Sequence, residues 1–534
     1  MTRRMSVLVA LLVLMPCAAS AQDARSALEA AAKNMGATNL KTIEYSGSGW
    51  DSAVGQSYNL TSDWPRFEVS RYLRVIDYDA KTLREERTRK QGNNPPQGVP
   101  PLREEQITEL LSGKFAWNMQ EDTAVPQTGR FLEGPPVAEL RQLEIMLTPH
   151  GFLKAALEGN ATAITQPIVG PSDNGLSGNG RKVTIVSFKA LGKYKVNGTI
   201  NDQNLLELVT TWIPNPVYGD MLYEFRYTQY KDFGGIKFPA LIHVHLGNPV
   251  LNPAHNIFEM KIDTVKPNVD VPPLSVPDAV RQAAEPPVRV ETQKLADGVW
   301  LLAGGTHNSV AVEFRDFAAV VEAPLNEARS LAVIDEVHKL VPGKPIRYVV
   351  NTHHHFDHAG GLRTYLSQGT TVITHESNKD YYLAILFHPG GWTLQPDRLA
   401  AYYPMFMISR RPAPIVTVNQ KYVLSDDSRV MDIYHVQDVS YSLEDASYRL
   451  GNHSEDMLMV YLPKEKILIN ADLYSPPAPG QQPPAPTPEM LTLYQNMRLL
   501  KLDVAEHVPI EGRAGTNAEF LKIVGNVPSG SSGK

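Results

Sequence analysis

The stretch NTHHHFDHAGG, residues 351–361, carries the strongest structural signal in this sequence. It follows an apolar run and contains the pattern His353-x-His355-x-Asp357-His358. An extended turn projects the first two histidines from one side, because they lie two residues apart, while the aspartate and the last histidine turn to the other side. Imidazole nitrogens and carboxylate oxygens around one cavity are the ligands of a Zn²⁺ or Fe²⁺ site with open positions. The sequence therefore predicts a metal centre at this turn.

Two glycines close this stretch, and strands and helices alternate around it. We expect Gly360 and Gly361 to let the backbone turn tightly and start the next helix. Short apolar runs predict strands at 299–302, 310–314, 318–321 and 347–351. The spacing of apolar residues at 327–340 predicts a helix. Alternating strands and helices are typical of an α/β domain, which we place at residues 288–534.

The first half of the chain has a different pattern. Residues 22–264 alternate short β-type runs with Gly- and Pro-rich turn signals, which predicts an antiparallel, β-rich N-terminal domain. Strand-like runs occur at 182–188, 223–227 and 241–246. Apolar residues at three- and four-residue spacing predict helices at 24–34, 103–111 and 137–157. A proline-rich stretch without strong periodicity, residues 265–287, is the predicted linker between the two domains.

Residues 1–21 have the pattern of a cleaved secretory signal. Arg3 and Arg4 precede a short apolar run, and the small residues Ala19-Ser-Ala21 follow it. The run is well short of the ~20 apolar residues that a transmembrane helix needs, so we predict export to the periplasm or the exterior without a membrane span. Cys17 is the only cysteine. A chain cut after residue 21 would therefore bind a metal through histidines and carboxylates alone.

Size and charge exclude several classes of partner. The chain has 534 residues, 43% of them hydrophobic and 20% charged, which is typical of a globular protein with two or three domains. Its formal net charge is −6, and loss of the two signal arginines makes the charge more negative. Nucleic acids and anionic lipid surfaces bind basic proteins, so neither is an expected partner. We expect a small-molecule substrate, and the sequence leaves the oligomeric state undecided.

The order of the motifs resembles that of one enzyme superfamily. A strand followed by HxHxDH and two glycines looks like the metallo-β-lactamase superfamily, and the resemblance covers roughly residues 290–525. It implies an αββα sandwich for this half of the chain. The stretch Gly-Asn-His453-Ser resembles the second motif of the superfamily. This implies that His453 joins His353 and His355 as a ligand of a first metal.

The third and fourth motifs imply a second metal with an altered ligand. A strand runs into Asp472, which the resemblance makes the bridge between two metals. Where the superfamily usually has a histidine in its last motif, this chain has Glu511. Glutamate can ligate Zn, Fe or Mn, so the implied second set is Asp357, His358, Asp472 and Glu511, although the altered ligand also leaves room for a second metal that is weakly held or absent. His507 is the less favoured substitute, because using it requires a rebuilt strand end.

The resemblance implies a metal-dependent hydrolase acting on an ester, thioester, lactone, amide or related bond. Metal binding lowers the pKa of water from 15.7 to about 7, and the resulting hydroxide is the implied nucleophile, oriented by Asp357. Two zinc ions are the expected cofactors, with one iron or mixed metals as alternatives. Two other functions stay open: a mononuclear-iron oxidase or dioxygenase of the same fold, and a periplasmic lipid- or ligand-binding protein with a vestigial metal site.

Three further features allow more than one interpretation. Many members of the superfamily have an aspartate where Glu322 stands, and we interpret Glu322 as a supporting residue rather than a ligand. His243 and His245 share one face of a strand, but the sequence shows no third ligand, which favours ordinary strand residues. The aromatic-rich segment 378–421 either borders a substrate pocket or packs as core.

Overall fold

The computed structural model describes residues 21–92, 104–167, 181–248, 253–388, 391–402, 414–438, 440–442 and 448–525. The predicted secretory signal lies outside these residues except for its last position, and export stays a prediction. None of the helices in this described part has the length and apolar character needed to cross a lipid bilayer.

The strands of the first half form one antiparallel sheet of 13 strands. They are β1 (Thr42–Ser52), β2 (Arg66–Asp77), β3 (Thr82–Gln91), β4 (Glu105–Ser112), β5 (Phe115–Gln120), β6 (Thr123–Pro126), β7 (Thr162–Pro167), β8 (Lys182–Ala190), β9 (Tyr194–Ile200), β10 (Leu206–Asn215), β11 (Gly219–Asp232), β12 (Lys237–Leu246) and β13 (His255–Pro267). β1 pairs with β13 in the middle, and the sheet runs outward from this pair to β6 on one side and β7 on the other. The predicted antiparallel, β-rich N-terminal half is confirmed.

Helices cover part of this sheet. They are α1 (Ala21–Met35), α2 (Val137–Leu147) and α3 (Pro149–Glu158). The stretch predicted as one helix, 137–157, is two helices, because Pro149 lacks an amide hydrogen and starts a new one. Thr148 caps this second helix by accepting a hydrogen bond from the Gly151 amide.

The predicted helix at 103–111 is wrong. Most of these residues belong to β4, which pairs with β3 on one side and β5 on the other. β-branched residues such as Ile107 and Thr108 suit a pleated strand, and the two neighbouring strands satisfy the backbone hydrogen bonds of β4. Pairing between distant segments therefore overrides a weak helical spacing.

The stretch predicted as a linker, 265–287, packs against the first sheet. It begins in the end of β13 and contains the short helix α4 (Asp278–Gln282). Val280 of this helix shares an apolar cluster with Leu110 and Trp117, from β4 and β5. The domain boundaries stay a prediction, but these contacts attach the stretch to the N-terminal sheet.

The second half contains two further large sheets. The first has seven strands, in the order β14 (Glu291–Ala296), β15 (Val299–Ala303), β16 (Ser309–Glu313), β17 (Ala318–Val321), β18 (Ile346–Val350), β19 (Thr371–His375) and β20 (Ile415–Val418). The second has six, in the order β21 (Lys421–Ser425), β22 (Val430–His435), β25 (Leu458–Leu462), β26 (Ile467–Asn470), β27 (Glu506–Pro509) and β28 (Gly515–Thr516). A separate hairpin consists of β23 (Ser440–Ser442) and β24 (Tyr448–Leu450). Apolar side chains from both large sheets belong to one buried cluster.

Helices accompany these sheets, as the alternating pattern predicted. They are α5 (Glu327–Leu340), α6 (Phe356–Ala359), α7 (Leu362–Ser367), α8 (Asn378–Ile385), α9 (Pro488–Leu499) and α10 (Asn517–Val524). Val333 and Val337 of α5 pack with Val320 and Val349 of the seven-stranded sheet. β17 to β20 are parallel, so the chain leaves β18 at an edge where polar loops gather. The motif at 351–361 begins at this edge.

The glycines that close the motif have a different role from the one predicted. Gly360 and Gly361 have φ values of −62° and −95°, which any residue adopts. A Cβ on Gly360 would lie 1.8 Å from the Leu325 carbonyl oxygen, and one on Gly361 would lie 2.0 Å from Ser330 Oγ. Glycine is therefore required here because the backbone packs closely on the β17–α5 connection. A tight turn is not the reason.

A cavity of about 430 Å³ lies between the N-terminal sheet and α2. Apolar side chains share its lining with the charged residues Arg74, Glu85, Arg87 and Glu109. The charges are paired: Arg74 Nε lies 2.5 Å and Arg87 Nη1 lies 2.7 Å from oxygens of Glu85. An acyl chain would have to desolvate these groups, which is costly, so the lining favours polar contents over a lipid tail.

His150 makes the N-terminal half sensitive to acid. It is fully buried, and burial lowers the pKa of its imidazole from 6.5 to about 4. Between these values the native ring is neutral while the unfolded ring is protonated, so stability is lost as pH falls from 6.5 toward 4. The free energy of unfolding of the parent protein should fall as the pH is lowered from 7 to 4.5. We expect this fall to be smaller in His150→Gln, by on the order of 2 kcal/mol.

Urea unfolding at these two pH values measures the effect. His338→Gln supplies the control for loss of a histidine outside the core, because His338 on α5 is exposed. If His150→Gln loses as much stability on acidification as the parent protein, the buried imidazole is not neutral and the prediction is wrong.

Candidate metal centre

Three imidazoles meet where β18 ends. His353 and His355 lie in the extended segment between β18 and α6, and His453 lies in the loop before β25. One ring nitrogen from each lies within 4.8 Å of the other two, and His453 Nε2 is 2.9 Å from His355 Nδ1. All three side chains are buried. The fold thus brings two separate motifs of the sequence to one place.

Asp472 lies between this group and a second one. It follows β26 and has a left-handed φ of 56°, which aspartate tolerates better than most residues. Its Oδ2 lies 3.7 Å from His353 Nε2 and 3.2 Å from His358 Nε2. Its Oδ1 lies 3.8 Å from His453 Nε2. One carboxylate therefore faces both groups, which is the position that a bridging ligand needs.

The second group forms around His358. Its Nε2 lies 3.4 Å from Glu511 Oε1. His307 Nε2 lies 3.5 Å from the same oxygen and 3.4 Å from Asp357 Oδ2. The structure thus brings together Asp357, His358, Asp472 and Glu511, the four residues that the sequence implied for a second metal, and it adds His307.

His307 is the functional residue that sequence reasoning missed. It stands in the polar stretch His307-Asn-Ser309 before a strand, and nothing at this position marks a ligand. Asn308 fastens this turn to the last motif, because its Nδ2 donates to the carbonyl oxygens of Pro509 at 3.1 Å and Gly512 at 2.7 Å. The last motif has a glutamate in place of its usual histidine, and His307 from a different loop places an imidazole beside that glutamate.

His507, the less favoured substitute in the sequence, is used elsewhere. Its Nε2 lies 3.1 Å from Asn517 Oδ1, and its ring packs against Tyr474 and Phe520. Burial lowers the pKa of this imidazole to about 4. Within the described residues it belongs to none of the groups that could hold a metal, whereas Glu511 does.

The fully buried Glu322 orients the second group. Its Oε2 accepts a hydrogen bond from His358 Nδ1 at 3.0 Å and another from the Thr352 hydroxyl. Because Nδ1 donates to Glu322, Nε2 is the ring nitrogen of His358 that faces Asp472. Glu322 has a φ of 77°, which costs energy in a residue with a Cβ and is typical of functional sites. These contacts agree with the interpretation of Glu322 as a supporting residue.

The N-terminal half contributes a segment to this site. After β1, the Ser57 carbonyl oxygen accepts a hydrogen bond from His355 Nε2 at 2.8 Å, so His355 Nδ1 is free to face His453. Gln56 Nε2 donates to Asp357 Oδ1 at 2.9 Å. Sequence reasoning missed both contacts, because a glutamine and a serine in a turn carry no motif.

His354, inside the motif, has a structural role. Its Nδ1 lies 2.9 Å from Asp456 Oδ1, and its Nε2 lies 3.0 Å from Ser57 Oγ. Asp456 also accepts hydrogen bonds from Asn378 and the Ser454 hydroxyl. This buried network ties the first motif to the second motif and to the N-terminal segment.

Burial and charge oppose each other at the centre. Burial disfavours ionisation of Asp472, but His453 and His358 hold the pKa of this carboxyl below its ordinary value. Burial and the Asp472 carboxylate raise the pKa of Glu511 to about 8. His353 Nε2 and Glu511 Oε1 are buried without a hydrogen-bond partner in the described part of the chain. Nitrogen lone pairs and carboxylate oxygens that converge in this way fit divalent cations.

Part of the aromatic segment packs as core. Tyr382 is fully buried, and Trp392 is buried beneath the Arg363 guanidinium, which lies 3.5 Å from its ring centroid. Tyr403 and Phe406, two other aromatic residues of this segment, lie outside the described residues. Of the described rings, Tyr382 therefore packs as core, whereas Tyr402 is exposed and Trp392 borders a small pocket.

Comparison with known proteins agrees with the motif order. Residues 302–505 match the family model described as the metallo-beta-lactamase superfamily. Among curated proteins compared with this chain, none matches.

Several solved structures are similar to the C-terminal half of the chain. A metallo-beta-lactamase from Pontibacter korlensis is 18% identical, with 45% of this chain and 100% of that chain covered and a TM-score of 0.31. A metallo-beta-lactamase from Hirschia baltica is 17% identical, with 43% and 94% covered and a TM-score of 0.30. The mono-zinc form of the metallo-beta-lactamase FIM-1 from Pseudomonas aeruginosa is 19% identical, with 44% and 92% covered and a TM-score of 0.29.

Removal of the Glu322 side chain should destabilise the C-terminal half. In Glu322→Ala, the Thr352 hydroxyl and His358 Nδ1 lose their buried acceptor, so we expect a loss of about 2–4 kcal/mol in the free energy of unfolding. Glu291→Ala is the matched control, because Glu291 is exposed on β14, and it should change stability by less than about 0.5 kcal/mol. Urea unfolding measures both, and equal stabilities of the two variants would contradict the supporting role.

Proposed function

We propose that this chain, whose residues 302–505 belong to the metallo-β-lactamase superfamily, is a metal-dependent hydrolase with a two-cation centre. Members of the superfamily are generally metal-dependent hydrolases. The observation that carries the proposal is the convergence of three histidines and Asp472 in one buried place. The proposal includes an αββα sandwich over residues 288–534, a linker at 265–287 and a separate N-terminal domain at 22–264.

The ligand assignment follows from the two groups. His353, His355 and His453 would hold the first cation, and Asp472 would bridge to the second. The second would be held by four further residues, namely His307, Asp357, His358 and Glu511. Two zinc ions are the favoured occupants, because imidazole nitrogen and carboxylate oxygen are borderline and hard ligands, and the described site contains no thiolate.

The residues of the chain would divide the chemistry among them. The cations supply Lewis acidity and lower the pKa of water when bound. Asp357, held by Gln56 on one oxygen and facing His307 with the other, is placed to orient an attacking water. Glu322 and the Ser57 carbonyl keep the two imidazoles that they contact in a fixed tautomer. Glu511 would lose its proton on binding the second cation and would add a negative charge, so this cation would be held more firmly but would be a weaker Lewis acid.

The proposed substrate is a small molecule with an ester, thioester, lactone, amide or related bond, hydrolysed in the periplasm or outside the cell. The acidic net charge and the secretory pattern support this location and class of partner. The superfamily fold by itself does not decide which bond is cleaved. A panel of chromogenic ester, lactone, phosphodiester, sulfate ester and β-lactam substrates would identify it.

Metal analysis of the purified protein tests the proposal directly. We expect two zinc ions per chain at the centre, lost together with turnover on treatment with a chelator and regained with added zinc. The triple variant of His353, His355 and His453 to alanine should lose first-site metal and more than about 100-fold of turnover, while His338→Ala should retain both. One iron with oxygen consumption would instead support the oxidase, and a chain without metal after growth with metals would support a carrier.

A second experiment tests the assignment of His307. Because its Nε2 faces both Asp357 and Glu511, His307→Gln should weaken binding of the second cation by at least about 10-fold and leave the first cation in place. Stepwise titration of the chelator-treated protein with zinc, followed by elemental analysis, separates the two events. Two cations bound as tightly as in the parent protein would show that His307 is not a ligand.

A further inference from the structure

A second group of histidines lies on the N-terminal sheet, far along the chain from the centre described above. His243 and His245 occupy alternate positions of β12, so both side chains project from the same face. Their neighbours Ile242 and Val244 project from the other face and line the cavity. The two imidazoles are accessible: the exposed fractions of their side chains are 22% and 17%.

A carboxylate holds the Nδ1 atom of each ring. His243 Nδ1 lies 3.0 Å from Glu259 Oε2, and His245 Nδ1 lies 3.1 Å from Glu224 Oε1. An ionised carboxylate only accepts hydrogen bonds, so each Nδ1 must carry a hydrogen. In a neutral ring the other nitrogen, Nε2, is then an unprotonated acceptor.

Three acceptor atoms consequently face one another. The two Nε2 atoms of His243 and His245 lie 2.8 Å apart, and Asn256 Oδ1 lies 3.0 Å from His243 Nε2. Two nitrogen lone pairs and an amide oxygen at these distances repel each other unless a positive charge lies among them. Asn256 Oδ1 is thus a third acceptor atom that the sequence did not reveal.

A β-bulge creates this arrangement. Asn256 and Glu259 lie three residues apart on β13, and in a regular strand they would project to opposite faces. The register of β12 against β13 shifts between Val244 and His245, where Phe258 and Asn256 are the successive partners. The residue left over lets Asn256 and Glu259 share the histidine face, and bulges often re-aim side chains in this way.

We propose that His243, His245 and Asn256 form a binding site for a divalent transition-metal ion of the Zn²⁺ and Cu²⁺ class. Imidazole nitrogen selects these ions over Ca²⁺ and Mg²⁺, which prefer oxygen. Nitrogens about 2.1 Å from a zinc ion lie about 3.4 Å apart in a tetrahedral site, so the 2.8 Å Nε2 separation has to open only slightly. Water completes the coordination at this accessible face.

The carboxylates support this site as a second layer. A carboxylate on the far nitrogen of a ligating imidazole fixes its orientation and raises its basicity. Arg226 Nε donates to Glu224 Oε1 at 2.6 Å and keeps that carboxylate ionised and in place. A bound cation would also cross-link β12 to β13 beside the central pair of the sheet and so stabilise the N-terminal half. The site is independent of the proposed hydrolase centre.

Counting bound metal in the full-length chain tests the site. After chelator treatment, equilibrium dialysis against Zn²⁺ and elemental analysis should give one cation fewer in the double variant His243→Gln, His245→Gln than in the parent protein. His338→Gln controls for binding by an exposed surface histidine and should lose none. His353→Ala should lose metal at the C-terminal centre and retain this cation, so a failure of the proposed function and a failure of this site give different patterns.

Two further measurements keep the test independent of folding. Glu224→Gln leaves all three ligands in place and should weaken binding at this site about 10- to 100-fold. Cu²⁺ bound by the parent protein should give an electron paramagnetic resonance signal coupled to imidazole nitrogen, part of which is absent from the double variant. The competing explanation is a proton in place of the metal: one of the two rings would be protonated and would donate a hydrogen bond from its Nε2 to Nε2 of the other ring. Equal metal counts and equal spectra in the parent protein and the double variant would favour that proton and overturn the proposal.

Discussion

The charge balance around Asp472 is the constraint on which the centre depends. A buried carboxylate is costly without a positive partner, and His358 and His453 hold the pKa of this one below its ordinary value. Its left-handed backbone conformation places the carboxylate between two groups that come from different loops. Every segment that carries one of these groups must keep its position, since displacement of any of them leaves a buried charge or lone pair unmatched.

The two halves of the chain meet at this constraint. The Ser57 carbonyl and the Gln56 amide of the N-terminal half contact His355 and Asp357. The segment between β1 and β2 is therefore part of the site's support. The same device recurs at His243, where an acceptor holds Nδ1 and leaves Nε2 to face outward. In both places a hydrogen bond on one side of an imidazole decides which nitrogen is available on the other.

Sequence reasoning succeeded where the signal is local and failed where it depends on contacts between distant segments. The helix at 327–340 was predicted with its observed bounds, because apolar spacing on one helix face is a local property. The helix at 103–111 was wrong, because pairing with β3 and β5 decided the conformation of β4. The adjacent residues Gly360 and Gly361 were expected to allow a tight turn. Glycine is required there for another reason, because a carbonyl and a hydroxyl oxygen lie where a Cβ atom would be.

The sequence by itself determined the HxHxDH turn, the superfamily to which it points and the antiparallel character of the first half, since each follows from spacing along the chain. Only the tertiary structure decided that His307 faces Glu511, that Gln56 reaches Asp357 and that a bulge turns Asn256 toward His243. The physical reason is the same in each case. A ligand set is defined by where lone pairs converge in space, and residues far apart in the chain carry no mark of that convergence until the strands that bear them have paired.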